Sequence, residues 1–251
     1  MHTDEAAPPL GAQSKPAAAG FFVTGVTPDD QTCLAAAMLI ALLAHSGENV
    51  AAMVPVETSV DDPCEPGSHG ALVRWAAAHL DDPRLVTPFA FEQDRPAMHA
   101  ADVSGRLLHG AAFDRAREKL CEGRTALVVS DAVGMLDPIT PSLTMLDLVS
   151  RWELSAVIVE PVSRWAVGHI QLLASVLHAR QVAIAGVILS PKAPDDDTDE
   201  DGIQAMQETI GARQGCPVVM LPRVPTMHDR SELLTAAETC GLHRVLRRLR
   251  S

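Results

Sequence analysis

The stretch that decides the fold is FFVTGVTPDDQTCLAAAMLIALLAHSG, residues 21–47. Residues 21–24 have the composition of a buried strand, Gly25 opens a turn, and a long apolar helix is predicted to begin near Thr32. This order of strand, glycine turn and helix is the layout of a phosphate-binding loop. Such a loop needs glycine and lysine close to the start of the helix. The turn instead contains Asp29, Asp30 and Gln31.

Apolar runs of strand length alternate with amphipathic stretches along the chain. The strand-length runs are 21–24, 50–56, 126–129, 156–159, 182–189 and 218–220. The helical stretches are 33–44, 143–152, 170–179 and 202–212. Short continuous runs separated by helices predict a doubly wound α/β fold, with a mainly parallel sheet and helices on both faces. Ligands are then expected in the turns after Thr24, Val129, Val159 and Leu189.

The length and composition predict a single α/β domain over residues 21–251. Residues 1–20, rich in alanine and proline, are predicted to be a disordered tail. The acidic segment 191–202 reads as a surface loop, and no run reaches the ~18 apolar residues of a membrane span. We therefore expect no membrane association.

Charge and cysteine content argue against nucleic-acid binding and against a metal-binding protein. The formal net charge is −12 and aromatic residues make up 3% of the chain, so a nucleic acid is not an expected partner. The five cysteines are scattered without a CxxC pair, and the histidines lack zinc-ligand spacing. These features predict a cytoplasmic protein without a metal centre.

The first strand and its turn resemble the start of the dethiobiotin synthetase family. That family begins with a strand ending FVTGT, continues through VGKT, and has a second strand ending KPV; here the matching segments are FFVTG and VPVETS, residues 54–59. The resemblance places the family's loop glycine on Gln31, its lysine on Thr32 and its magnesium-binding threonine on Cys33. The lysine of KPV falls on Val54. Both expected lysines are absent.

The resemblance continues over roughly residues 21–225. TPFAFEQDRPAMHAA (87–101) resembles a family segment whose histidine matches His99 when one residue is inserted, and VSDAVGMLDPI (129–139) resembles VEGAGGLLVPL. TMLDLVSRWELSAVIVEPVSRWAVGHIQLLASVL (144–177) follows the family without a gap, and GVILSP (186–191) resembles GxVxND. The resulting loop positions are Gly25, Thr27, Asp29, Asp30, Gln31, Thr32 and Cys33. The other pocket positions are Glu57, His69, Ser130, Asp131, Gly134, His169 and Ser190.

Several of these pocket positions differ from the family's polar residues. Ser130 stands where the family has a magnesium-binding glutamate, and Asp131 where it has a glycine. Ser190 replaces an asparagine that helps to read adenine, and His69 falls on a magnesium-binding aspartate. Gly168 replaces an asparagine beside the retained His169.

The resemblance implies a P-loop NTPase-like fold and a homodimer that uses ATP, magnesium and carbon dioxide to close the ureido ring of 7,8-diaminopelargonate. The replaced residues favour a non-catalytic homologue that acts as a binding or regulatory subunit, as a homodimer or paired with a homologue. The alternative is an active synthetase with a rebuilt phosphate site, and only then are ATP and magnesium expected cofactors. A third hypothesis is a switch protein of the wider P-loop group. The missing lysine argues equally against nucleotide binding by such a protein.

Other residues offer replacement chemistry. Lys192, Arg164 or Arg74 could supply the missing cation. Cys33, at the start of a helix, could form a nucleophilic pair with His69 or His99. Asp29 and Asp30 would repel a triphosphate, and as first-turn acids they complement the helix dipole.

Overall fold

The computed structural model describes residues 19–78, 81–191, 199–223 and 229–246. In these ranges the strands are β1 (Ala19–Thr24), β2 (Val50–Met53), β3 (Val56–Thr58), β4 (Phe89–Phe91), β5 (Ala126–Ser130), β6 (Pro138–Thr140), β7 (Leu143–Thr144), β8 (Ser155–Pro161), β9 (Ile184–Ser190) and β10 (Val218–Met220). The helices are α1 (Asp30–His45), α2 (His69–Ala77), α3 (Pro83–Val86), α4 (Ala97–Val103), α5 (Gly110–Leu120), α6 (Met145–Arg151), α7 (Ala166–Ala179), α8 (Glu200–Gln214), α9 (Arg230–Thr239) and α10 (His243–Leu246).

Six strands form the central sheet, in the order β10-β9-β8-β1-β5-β2, and every neighbouring pair is parallel. The register sets Phe22 beside Val129 on one side and Ala156 on the other. Every residue of β5 and β9 is buried, which explains why these strands are continuous apolar runs in the sequence. The predicted doubly wound α/β class is confirmed.

The two halves of the sheet are connected in opposite directions. The chain leaves β1 through α1 towards the β2 edge, and it leaves β8 through α7 towards the β10 edge. Right-handed crossovers in opposite directions place their helices on opposite faces of the sheet. Helices α2 and α9 accordingly pack against α1, and α8 packs against α7. The loops after β1 and β8 diverge, and a crevice between them is the expected ligand position of such a fold.

The strand predicted over residues 50–56 is wrong in its second half. β2 ends at Met53, and β3 pairs in parallel with β4 outside the central sheet. Pro55, between the two strands, has no N–H to donate to a neighbouring strand. Val54 donates its N–H to the Val86 carbonyl at 2.8 Å, and Val54 itself is fully buried. The sequence run is continuous because burial continues through the break.

The other predicted strands and the four predicted helices are found with shifted ends. The first helix begins at Asp30, two residues before Thr32, because Asp29 is its N-cap. Residues 192–198, in the predicted acidic loop, lie outside the described residues. The predicted tail also lies outside them, except for Ala19 and Gly20, which belong to β1. None of the described helices is long and apolar enough to cross a bilayer.

Candidate functional site

The candidate site lies at the carboxyl edge of the sheet, where the loop between β1 and α1 meets the ends of β5 and β8. Gly25 opens this loop in close contact with β8. A Cβ atom at this position would lie 2.6 Å from the Val159 carbonyl oxygen and 3.6 Å from the Thr32 hydroxyl. Only glycine therefore fits at the predicted first position of the loop.

The N-terminus of α1 is capped by the chain's own carboxylate. Asp29 Oδ1 accepts hydrogen bonds from the backbone N–H groups of Gln31 at 3.0 Å and Thr32 at 3.1 Å. The Asp29 N–H donates in return to the Thr32 hydroxyl at 3.3 Å, which completes a capping box. These first-turn N–H groups are the donors that a helix N-terminus offers to a bound anion. In this chain an aspartate occupies two of them.

A buried hydrogen-bonded group joins the ends of β1 and β5. The Thr24 hydroxyl donates to Asp131 Oδ2 at 2.7 Å, while Oδ1 accepts from the N–H groups of Val133 at 3.1 Å and Gly134 at 3.0 Å. Thr24 and Asp131 are both fully buried. Burial raises the pKa of the Asp131 carboxyl above its ordinary value, although these hydrogen bonds act in the opposite direction.

A second carboxylate lies at the end of β8. Glu160 is 4% exposed, and its Oε1 lies 2.7 Å from Nδ1 of His169, in the first turn of α7. Burial raises the pKa of Glu160 above its ordinary value. His169 and a hydrogen bond from the Val26 backbone favour the charged form, whereas the negative charge of Asp29 opposes it. Glu160 thus joins the end of β8 to helix α7.

Glu57 holds the start of α2 on the other side of α1. Its two carboxylate oxygens accept from the backbone N–H groups of His69 at 2.5 Å and Gly70 at 3.1 Å, and the side chain is buried. The Cys33 thiol donates to the His69 carbonyl oxygen at 3.6 Å. This contact between the suggested pair Cys33 and His69 runs from the thiol to the backbone of the histidine.

The positions that the resemblance assigns to magnesium and adenine hold two buried serines. Ser130 ends β5 and Ser190 ends β9, and both are fully buried. Within the described part of the chain, neither hydroxyl has a hydrogen-bond partner. The strand register sets Ser130 beside Val23 and Ser190 beside Pro161.

Other predicted residues make separate contacts or are exposed to solvent. Arg74 donates its Nε–H to the Asp81 carbonyl at 2.9 Å, and the Arg164 guanidinium lies 4.6 Å from the centroid of the Trp165 ring. His99, in α4, and Thr27, in the loop, are exposed. Lys192 lies outside the described residues. Among the residues that are described, no three His, Cys, Asp or Glu side chains are grouped to hold a metal ion.

Sequence reasoning missed two members of the site, Thr24 as a hydroxyl donor and Glu160 as a buried acid. Glu160 had a detectable signal, because it is a lone acidic residue in the apolar run AVIVEPV at the end of a predicted strand. A charged residue in such a run is rarely buried without a partner. The predicted residues Gly25, Asp29 and Thr32 lie together at the loop. Glu57, His69 and Cys33 form a neighbouring group.

The parallel sheet and the glycine loop at the start of α1 define an α/β P-loop fold. A family model described as an AAA domain matches residues 19–232. The ATP-dependent dethiobiotin synthetase BioD of Anaeromyxobacter dehalogenans (strain 2CP-1) is 29% identical over 215 residues, which cover 86% of this chain and 95% of that protein. BioD of Novosphingobium aromaticivorans is 32% identical over 191 residues, covering 75% of this chain and 83% of that protein. A ParA family ATPase from Chlorobium tepidum TLS covers 93% of this chain and 97% of its own, with 14% identity and a TM-score of 0.47.

The chain belongs to this AAA-domain family and, within it, to the dethiobiotin synthetase family. The resemblance drawn from the sequence motifs is therefore confirmed.

Proposed function

We propose that this chain is a member of the dethiobiotin synthetase family that does not perform ATP-dependent ring closure and acts as a binding or regulatory subunit. The observation that carries the proposal is the Asp29 cap. Its carboxylate accepts from the Gln31 and Thr32 N–H groups, which a phosphate would need. A nucleotide would have to displace this acid and would meet its charge. Repulsion between like charges at 4 Å costs about 1–4 kcal/mol at effective dielectric constants of 80 to 20.

The missing cations support the same conclusion. Catalysis of phosphoryl transfer is mostly positioning and charge neutralisation, by a loop lysine and by magnesium held on Ser, Thr or acidic side chains. The lysine position holds Thr32, which is 1% exposed and has no positive charge to neutralise a phosphate. The magnesium positions hold the buried Cys33 and Ser130. The second lysine position holds the buried Val54.

The partner we propose is a homologue of the same fold, either a second copy or an active family member. Two large apolar side chains support this proposal, since Trp165 is 59% exposed and Leu172 is 61% exposed. They are seven residues apart, at the start of α7 and within it, and therefore share one side of that helix. Light scattering of the purified protein, alone and mixed with an active synthetase, tests this part of the proposal. A monomer in both samples would contradict it.

An active synthetase with a rebuilt phosphate site is the second candidate. It is favoured by the similarity to ATP-dependent dethiobiotin synthetases, at up to 32% identity over most of their length. The two candidates differ in whether ATP with magnesium binds at all, and in whether ADP is released when 7,8-diaminopelargonate and carbon dioxide are supplied.

Calorimetry with ATP and magnesium separates the two candidates. We expect no binding to the wild type, and none to the triple variant Gln31→Gly, Thr32→Lys, Cys33→Thr, because Asp29 still occupies the N–H groups. Adding Asp29→Gly should restore binding. Asp229→Gly is the matched control in the triple-variant background, since Asp229 caps a different helix, α9, by the same type of contact. Binding by the wild type, or ADP release, would overturn the proposal.

A further inference from the structure

We propose that the Arg106 side chain closes the open edge of strand β4 and so prevents a second copy of the chain from pairing with it. β4 lies outside the central sheet, and among the described strands its one neighbour is β3. The opposite edge of such a strand is a template for strand addition. The inference uses neither the Asp29 cap nor helix α7, so it does not depend on the proposed function.

The Arg106 guanidinium occupies two backbone acceptors of this edge. Its Nη1 donates to the Ala90 carbonyl at 2.8 Å, and its Nη2 donates to the Pro88 carbonyl at 3.4 Å. Carbonyl groups two residues apart point to the same side of a strand. The Phe91 carbonyl, one residue further, instead accepts from the Val60 N–H that follows β3. Arg106 therefore makes contacts that a neighbouring strand would make at the open edge.

The same guanidinium lies against the two aromatic rings of β4. The Arg106 Cζ atom is 5.5 Å from the centroid of the Phe89 ring and 5.1 Å from that of Phe91. The two rings are stacked on each other, and both residues are buried. Cation–π attraction therefore adds to the two hydrogen bonds in holding the planar group at the edge. A lysine ammonium lacks this planar fork of donors.

The end of helix α4 fixes the backbone of Arg106. The Arg106 N–H donates to the Ala101 carbonyl at 3.0 Å, and the Gly105 N–H donates to the Asp102 carbonyl at 3.1 Å. Gly105 has a φ of +64°, in the left-handed region that favours glycine. These contacts form a Schellman motif, which sets the direction of the chain after the helix. Arg106 is thus held in place by its backbone, although the residue is exposed.

A second copy of β4 is the partner that fits the edge when Arg106 is removed. The N–H and the carbonyl of Ala90 belong to the same edge, so two copies of Ala90 can face each other in an antiparallel pair and exchange both hydrogen bonds. Such a contact is symmetric about a two-fold axis, and the same surface serves both copies. The segment that carries Arg106 also has two large exposed apolar side chains, since Val103 is 57% exposed and Leu107 is 82% exposed.

Sedimentation velocity at low and high protein concentration tests the proposal. With rising concentration, Arg106→Ala should form particles of about twice the wild-type mass or larger, because one two-fold contact is added. Arg106→Lys should associate in the same way. It keeps the positive charge and an apolar stem, so it provides the test if Arg106→Ala does not fold. Arg115→Ala removes the same charge from an exposed position on α5 and should keep the wild-type mass.

Ala90→Pro separates strand pairing from general aggregation. It removes the N–H that faces the open edge, a position at which a strand tolerates proline. The double variant Arg106→Ala, Ala90→Pro should therefore return to the wild-type mass. Wild-type mass in both Arg106→Ala and Arg106→Lys would overturn the proposal, as would association that persists in the double variant. Binding of ATP by the wild type would remove the proposed function and leave this inference standing.

Discussion

The Thr24 hydroxyl donates a 2.7 Å hydrogen bond to the Asp131 carboxylate across 107 positions of the chain, and both residues are fully buried. This contact joins the end of β1 to the turn after β5, next to the start of the loop that Gly25 opens. The carboxylate also accepts from Val133 and Gly134, so one side chain organises two neighbouring loops of the candidate site.

Replacement of Asp131 should change stability in a pH-dependent way. Because the folded-state pKa is raised by burial, its contribution is fully present below the ordinary carboxyl range and is lost as the pH rises through the raised pKa. The loss in free energy of unfolding caused by Asp131→Asn should therefore be smallest at neutral pH and above. Asp131→Ala should cost about 2–4 kcal/mol at pH 7, since the Thr24 hydroxyl and the N–H groups of Val133 and Gly134 lose their acceptor. Urea unfolding of both variants at pH 4 and pH 8 checks the sign. A larger penalty for Asn at pH 8 than at pH 4 would contradict it.

Gly25→Ala should destabilise the protein, whereas Gly168→Ala should not. A methyl group at position 25 meets the Val159 carbonyl oxygen at 2.6 Å, which is a backbone atom that cannot turn away. The expected cost is about 1–3 kcal/mol. At position 168, inside α7, the methyl group meets nothing within 4 Å, and alanine should stabilise the helix by about 0.5–1 kcal/mol. Thermal unfolding of the pair tests the contrast, and equal melting temperatures would refute it.

Ser130→Ala should raise the free energy of unfolding by about 1 kcal/mol, because a buried hydroxyl without a partner is costly. Ser68→Ala is the matched control. The Ser68 hydroxyl accepts from the Ala71 N–H at 3.0 Å and donates to the Pro63 carbonyl at 2.9 Å, so its loss should cost about 1 kcal/mol. Urea unfolding measures both variants. A destabilised Ser130→Ala would mean that this hydroxyl has a ligand or water as its partner.

Glu57→Ala should cost about 2–4 kcal/mol, since the buried carboxylate accepts from two N–H groups at the start of α2. Glu57→Gln should cost less, because its one remaining oxygen can still accept. Glu122→Ala, at an exposed site, should stay within about 0.5 kcal/mol of wild type. Equilibrium unfolding ranks the three variants. Equal stability of Glu57→Ala and wild type would show that α2 does not depend on this cap.

The strands of the central sheet could be predicted because parallel strands buried on both faces are written as continuous apolar runs. The same signal failed at residues 54–56, since Val54 and Val56 are as buried as the strand before them. Pro55 was the available sign of a break. The Asp29 cap of α1 could also be predicted from the sequence, because Asp29 contacts residues only two and three positions later.

The remainder of the site depends on contacts between distant parts of the chain. The motif comparison identified Asp131 as a replaced glycine but could not show that Thr24 donates to it. The motif comparison did not single out Glu160, and its partner His169 lies on the helix that follows β8. Sequence spacing does not show which strand ends are neighbours. The strand order β8-β1-β5 brings these residues to the same edge of the sheet.

That strand order also has a consequence for synthesis of the chain. β1 lies between β5 and β8, so the segment made first has no strand beside it until residues 126–130 are available and has only one side paired until residues 155–161 follow. An apolar strand that waits this long on the ribosome is exposed to aggregation and to chaperones. Newly made chains that are truncated before Ala126 should therefore bind a holdase, and those extended beyond Pro161 should release it.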